Sequence, residues 1–313
     1  MVQRMIWSGL LAIILLSGIF WVPNFSRRGD SKEVIVYAAQ DQVYAEPILK
    51  DFERQTGIKV RAVYDSEAMK TVAIANRLLA ERDHPQCDVY WGNEELRTRQ
   101  LASRNIFRET NGWAAFGYRS RRMVVSASND TPTAPSSLVE LTNPIYRGKV
   151  ALAYPLFGTT AAHFLALRQH WGESNWLAWC RALAANKPFL VDGNSVAVKF
   201  VARGEAIVGL TDSDDIAAEI REGAKVKALP ISGETLLIPN TVAVVHRAPH
   251  PESAQRLFEY LQTRAVIEQL VQEGALEGAR AADVPGATLK PDWDAVLRDL
   301  DSATATLQKV FLR

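Results

Sequence analysis

Along the 313-residue chain, short apolar runs alternate with stretches in which apolar residues recur every three or four positions. The first such run beyond residue 32, Glu33 to Ala38 (EVIVYA), predicts a strand, and Tyr44 to Thr56 predicts a helix closed by Gly57. Ile58 to Tyr64 and Cys87 to Trp91 predict two more strands, with helices at Ala68 to Arg82 and Glu94 to Ser103. This β-α-β-α-β order implies a mainly parallel, doubly wound sheet. The β-rich tract Ala114 to Ala127, with Arg119, Arg121 and Arg122 in its middle, is expected to run between two domains.

A second α/β unit follows. Ser136-Ser137-Leu138 caps a short helix, Lys149 to Ala153 predicts a strand, and helices are expected at Thr159 to Trp171 and Asn175 to Asn186. Phe189 to Val191 and Ala206 to Leu210 predict strands on either side of a helix at Val196 to Arg203. The loop Thr211-Asp212-Ser213-Asp214-Asp215 then precedes a helical stretch, Ile216 to Glu222. Thr241 to His246 predicts a second crossover strand, with amphipathic helices at Pro251 to Gln262, Ala265 to Glu273 and Asp294 to Phe311. The fold expected is α/β, two doubly wound lobes joined by β crossover strands and completed by a C-terminal helical segment. The approximate division is a signal or anchor segment and linker at 1–32, one lobe at 33–118 plus 242–285, a second at 119–241, and a helical tail at 286–313.

Composition narrows the function. Basic and acidic residues number 36 and 35, a formal net charge of +1, and no basic stripe interleaves with aromatics, so no nucleic-acid partner is expected. Cys87 and Cys180 fall in different lobes and form no CxxC pair, which argues against a disulfide and a thiolate metal site. The run Met5 to Val22 carries no charge and has the length of a short spanning helix or a long signal core. It lacks a small-x-small cleavage signature, which favours an anchor. Either way the remainder is expected outside the cytoplasm, tethered to the inner membrane or released.

Two such lobes enclose a cleft at the C-terminal ends of their strands, where α/β sheets bind ligands. Three carboxylates at 212, 214 and 215 are more than a helix cap requires, and if they converge a positive group must offset them. Tyr37, Tyr44 and Trp91 suit either an aromatic wall for an organic ligand or core packing. Asp65-Ser66-Glu67 has the composition of a helix cap, and Asn240 after Pro239 that of a turn or hinge. Among catalytic motifs, G-x-S-x-G, a P-loop and H-E-x-x-H are all missing, so an enzyme is not expected.

Five ordered segments carry a family resemblance: VIVYAAQDQVYAEPILKDFERQTGIKV, CDVYWGNEEL, NPIYRGKVALAYPLFGTTAAH, DGNSVAVKFVARGEAIVGLTDSDD and LIPNTVAVVHRAPHPESAQRLFEYL. From residue 33 to about 275 the chain resembles extracytoplasmic solute-binding proteins of the ferric-iron class, the class II periplasmic binding proteins of ABC importers. The resemblance implies a monomeric two-lobed clamp that captures a small molecule or metal ion and delivers it to a membrane permease. Fe(III) is the transported ligand it implies. The family's metal-ligand positions fall at Asp41, at Asn93 beside Glu94, and at Asp214-Asp215 where iron-binding members have a tyrosine pair. Its companion-anion positions fall at Gly158, Thr159, Thr160, Asn194 and Ser195, with Asp212 where such members have Asn. Carboxylates are acceptable hard ligands. An anionic subsite beside an acidic one also suits a zwitterion such as an amino-phosphonate, and a tethered sensor is a further alternative to a permease-feeding protein.

Overall fold

Strands β1 (Glu33–Ala38), β2 (Lys59–Tyr64) and β3 (Val89–Gly92) pair in parallel in the order β2-β1-β3. Helices α1 (Gln42–Thr56) and α2 (Lys70–Ala80) make the two crossovers, and α3 (Glu95–Ser103) follows β3. The computed structural model describes residues 32–64, 70–110, 112–127, 134–284, 286 and 289–312. The apolar run Met5 to Val22, its linker as far as residue 31, and Asp65-Ser66-Glu67 lie outside the described residues. Among the described residues no helix is long and apolar enough to cross a membrane.

The second lobe repeats the plan. Strands β5 (Val150–Ala153), β6 (Phe189–Val191) and β7 (Val208–Asp212) pair in parallel as β6-β5-β7. Their crossovers are α4 (Gly158–Trp171) with α5 (Glu173–Ala185), and α6 (Asn194–Ala202). Each lobe then takes an antiparallel fourth strand: β9 (Leu237–Val244) beside β3, and β4 (Trp113–Ser126) beside β7. Strand β4 pairs with β9 from Trp113 to Ser120 and with β7 from Arg121 to Val125, so one strand belongs to both lobes. The expected α/β architecture of two lobes joined by crossover strands is the one observed.

Three boundaries differ from the sequence expectation. β7 extends through Asp212, and α7 (Ser213–Arg221) begins at the next residue, so the acidic tract is a strand end and a first helical turn, not a loop. β9 starts at Leu237 despite Pro239, because Pro239 sits opposite an irregularity in β4 where a ladder donor is dispensable. Asn240 is therefore a buried residue within β9, not a turn. The short strand β8 (Val226–Leu229), which pairs with β4, is only four residues long and is interrupted by Lys227, too short a pattern to be legible beforehand.

The inner strands β1 and β3 of the first lobe are largely buried on both faces, as strands of parallel sheets usually are, while the edge strand β2 is more exposed. Val34, Val36 and Ala38 pack with Tyr44, Ile48 and Phe52 of α1 and with α8 (Pro251–Leu261), while Tyr37 packs with Ile74 and Leu78 of α2. In the second lobe Leu152, Leu210 and Met123 join Phe164, Trp176 and Trp179. The C-terminal helix α10 (Trp293–Phe311) adds Val296, Leu300, Ala303, Leu307 and Phe311 to that core at spacings of three and four. Cys87 and Cys180 are buried, unpaired thiols.

Gly92 closes β3 where space is short. A Cβ there would lie 2.8 Å from the Tyr90 ring and 2.9 Å from Thr98 Oγ1, with Thr241 Oγ1 closer still. Thr98 and Thr241 share a 2.8 Å hydrogen bond at that spot, so neither yields easily. Gly92→Ala is expected to cost about 1–3 kcal/mol, as overpacking does. Urea unfolding checks this: a lower midpoint at unchanged slope is expected, and an unmoved midpoint contradicts it.

Candidate functional site

The site begins with a bulge. Register between β4 and β9 shifts between Phe116 and Tyr118, leaving Gly117 as the extra residue at φ 63°. A side chain there would run into Leu276, and its backbone conformation is one glycine adopts freely. Because strand residues alternate in direction, the extra residue reverses the phase of everything beyond it. Phe116 pairs with Asn240, and after the bulge Arg119 and Arg121 share Asn240's face. Both arginines are fully buried, at 2% exposure for Arg119. Arg119 Nη1 donates to Asn240 Oδ1 at 3.2 Å.

Arg121 stands directly opposite Asp212 in the β4–β7 ladder. Its Nη1 donates to Asp212 Oδ1 at 2.6 Å and to Asn194 Oδ1 at 3.0 Å. The other oxygen of Asp212 accepts from Thr159 Oγ1 at 2.6 Å and Asn194 Nδ2 at 3.3 Å. Thr160 Oγ1 also donates to Asn194 Oδ1, at 3.2 Å. The first turns of α4 and α6 and the end of β7 thus meet around one guanidinium. Gly158 opens α4 and Ser195 lies in the first turn of α6. Asp212 occupies the N-cap position of α7, but its side chain bonds Arg121 and not the helix.

Asp214, in the first turn of α7, lies 3.2 Å from Arg119 Nε, and Asp212 lies 3.7 Å from Arg119 Nη2. Burial pushes the Asp214 carboxyl up from 3.8 to about 7; Arg119 pulls it back down, while Asp212 and Asp41 add to the rise. Burial alone would lower the Arg119 guanidinium, yet Asp214, Asp212, Asp41 and Asp215 hold it above its ordinary value. These four carboxylates therefore act on the same cation. Asp41 sits half-buried at the N-cap of α1 without a side-chain cap bond. Oxygens of Asp212, Asp214 and Asp215 all lie within 4.8 Å of one another, a spacing compatible with a metal ion. Asp212, however, already has both oxygens engaged.

Several buried polar atoms in this region make no hydrogen bond among the described residues. They include Nε and Nη2 of Arg121, Nδ2 of Asn240, Oε1 of Gln40 and Oδ1 of Asp214. In a guanidinium, Nε and Nη2 form the edge that matches a carboxylate or phosphate in a two-point contact. Neighbours hold Arg121 by Nη1 and leave that edge without an acceptor. Such buried donors are rare and costly, which marks them for explanation.

Of the residues expected at a ligand site, the structure brings together Asp41, Thr159, Thr160, Asn194, Asp212, Asp214 and Asp215. Asn93 lies half-buried just after β3, and the adjacent Glu94 is committed to capping α3, accepting from the backbone N–H of Leu96 and Arg97. Of the two roles expected for Tyr37 and Trp91, the structure places both residues in core packing and not in a ligand wall. The Tyr37 hydroxyl donates to Glu81 at 2.9 Å and Arg77 covers its ring at 4.4 Å, because Tyr37 points to the α2 side of the sheet. Trp91 is fully buried in the first-lobe core, its ring 6.1 Å from that of Phe116. Arg119 and Arg121 were not anticipated as site residues, and Asn240 was expected chiefly as a turn or hinge. The signal for the arginines was present, as two of them at i and i+2 in a β-rich tract.

A family model described as a bacterial extracellular solute-binding protein matches residues 33–275. The iron uptake protein A1 of Synechocystis is 22% identical over 274 residues, covering 78% of this chain and 75% of that protein. The chain spans 59–75% of the length of the curated relatives it matches. Among solved structures, iron-bound HitA from Pseudomonas aeruginosa superposes with a TM-score of 0.76 at 19% identity, covering 89% of this chain and 99% of that one. AfuA from Actinobacillus pleuropneumoniae, with exogenous fructose-6-phosphate bound, gives 0.74 at 17% identity over 88% and 97%. At such identities the two structures attest the fold, that of class II periplasmic binding proteins. With the family model spanning both lobes, the chain belongs to the bacterial extracellular solute-binding proteins.

Proposed function

We propose that this chain is the extracytoplasmic solute-binding component of an ABC importer, and that its cargo is a small organic solute bearing a phosphoryl or carboxylate group. The observation that carries the cargo assignment is the edge of Arg121, two buried N–H donors held in a fixed plane with no acceptor among the described residues. Thr159, Thr160 and Asn194, together with Asp212, orient that plane. Asp214, Asp41 and Asp215 all act on Arg119 and make this side of the site acidic, which supports a cationic group at the opposite end of the solute, as in an amino-phosphonate. The lobes that close on it are residues 33–118 with 242–285, and 119–241. The fructose-6-phosphate bound to AfuA supports phosphoryl cargo on this fold.

Fe(III) is the second reading, supported by the clustered oxygens of Asp212, Asp214 and Asp215 and by relatives named for iron. Against it, Arg119 already supplies positive charge 3.2 Å from Asp214, and both oxygens of Asp212 are taken. A metal would have to displace a buried guanidinium from its partners, and separating such a pair is costly.

Calorimetric titration with an amino-phosphonate, inorganic phosphate and ferric citrate separates the two. The expected result is binding of the phosphorus compounds, weakened roughly 10–100-fold in Arg121→Lys, which keeps the charge and loses the two-point edge. Binding of iron alone, indifferent to Arg121→Lys, would overturn the organic-solute assignment, and turnover of any of these compounds would overturn a binding role.

The Asp214 carboxyl gives a separate expectation for stability. Its proton is held more tightly in the folded chain (about 7) than in the unfolded one (3.8), so its contribution to stability falls as pH rises through that window and levels off above it. The stability difference between the wild type and Asp214→Asn should therefore shrink or reverse against the wild type from about pH 4 to about pH 7. Unfolding titrations at several pH values measure it, and a constant difference would show that Asp214 titrates normally.

A further inference from the structure

Helix α7 belongs to the second lobe and carries Asp214 and Asp215 in its first turn. Its last residue, Arg221, reaches groups of the first lobe. Arg221 Nη2 donates to the Tyr44 hydroxyl at 2.8 Å, and the guanidinium lies over the Tyr44 ring, 5.3 Å from its centroid. Nη1 of the same residue donates to Glu273 Oε2 at 3.2 Å, just beyond α9 (Arg264–Gln272). The Tyr44 hydroxyl in turn donates to the backbone carbonyl of Asp214 at 3.3 Å. Next to Glu273, a Cβ on Gly274 would meet that of Ala217 at 3.0 Å, so α7 lies close against this segment.

Arg221 and Tyr44 thus connect both ends of α7 to α1. Tyr44 is buried in the first-lobe core, which fixes its ring, and burial followed by Asp214 keeps its hydroxyl protonated and able to donate. An exposed Arg221–Glu273 pair alone would contribute little. The stacked guanidinium and the shared phenol are more strongly constrained. All of these contacts are between protein groups, so their strength does not depend on what the cleft binds. A contact made only in the closed arrangement shifts the open–closed balance by its own free energy.

We propose that Arg221 and Tyr44 are positioning residues for the ligand site, holding α7 and its Asp214 edge against the first lobe and so biasing the clamp towards closure. This assignment rests on the solute-binding reading in taking the space between the lobes as the ligand site, but its test does not require the cargo to be known.

Spin labels are placed in the full-length protein at Arg264→Cys in the first lobe and Val139→Cys in the second, both exposed positions. The native Cys87 and Cys180 are buried and their thiols raised by burial, so they do not compete for label. Interlobe distances are measured by pulsed electron resonance with no solute added. The labelled parent should show a dominant short distance, Arg221→Ala a majority of longer ones, and Arg221→Lys an intermediate distribution. Tyr44→Phe, which keeps the ring in the core and removes the hydroxyl, should also lengthen the distribution. Identical distributions in the parent and all three variants would overturn the proposal. Inorganic phosphate is then titrated: weaker binding in Arg221→Ala, by roughly 3–10-fold with faster release, is expected. A protein that binds no phosphate yet shows the distance shift refutes the anion assignment and leaves the positioning role standing.

Discussion

Buried charge of both signs, set face to face across two strands, is the constraint around which the cleft is built. Arg121 and Asp212 are directly opposed in an antiparallel ladder, and Arg119 stands two residues away against Asp214. Neither carboxylate could be buried ionised without these partners, and neither guanidinium without the carboxylates. Removing one member of such a pair typically costs about 3–5 kcal/mol, because the other is left uncompensated. The first turns of α4 and α6 are drawn into the same network through Thr159, Thr160 and Asn194. Local structure, packing and ligand chemistry therefore depend on one set of atoms.

That network also separates two roles within the acidic tract. Asp212 has no spare oxygen and serves to orient Arg121. Asp214 has an oxygen without an aligned hydrogen bond and a carboxyl that holds its proton to about neutral pH. Asp212 and Asp214, which look equivalent in sequence, thus differ: one is an internal counter-ion with both oxygens hydrogen-bonded, the other keeps a buried oxygen without a hydrogen bond. Positive charge supplied by the chain itself, from Arg119 and Arg121, offsets the repulsion expected among them.

The alternation of apolar runs and amphipathic stretches made the two lobes, their parallel strands and the crossover role of β4 legible. Each lobe buries the inner strands of its sheet on both faces, and that demand writes continuous apolar runs into the sequence. The position of the acidic tract at the mouth of a strand was legible for the same reason. Facing was not. Tyr37 and Trp91 sit at strand ends near the cleft, but proximity in sequence says nothing about which side of the sheet a side chain occupies. Arg119 and Arg121 were hidden by the reverse effect, since only the bulge at Gly117 decides their side. Pro239 concealed the start of β9 because the irregularity that tolerates it lies on a different strand, more than a hundred residues earlier.

The bulge has an evolutionary corollary. A register in which Gly117 is kept and pairs with Pro239 would return β4 to plain alternation and turn Tyr118 and Ser120, in place of Arg119 and Arg121, onto the face of Asn240. Absorbing the bulge would exchange two cations for an aromatic and a hydroxyl on that face without altering a single residue of the chain. Among two-lobed clamps that share this strand, whether the bulge forms is a route to new surface chemistry that a comparison of aligned residue identities would overlook.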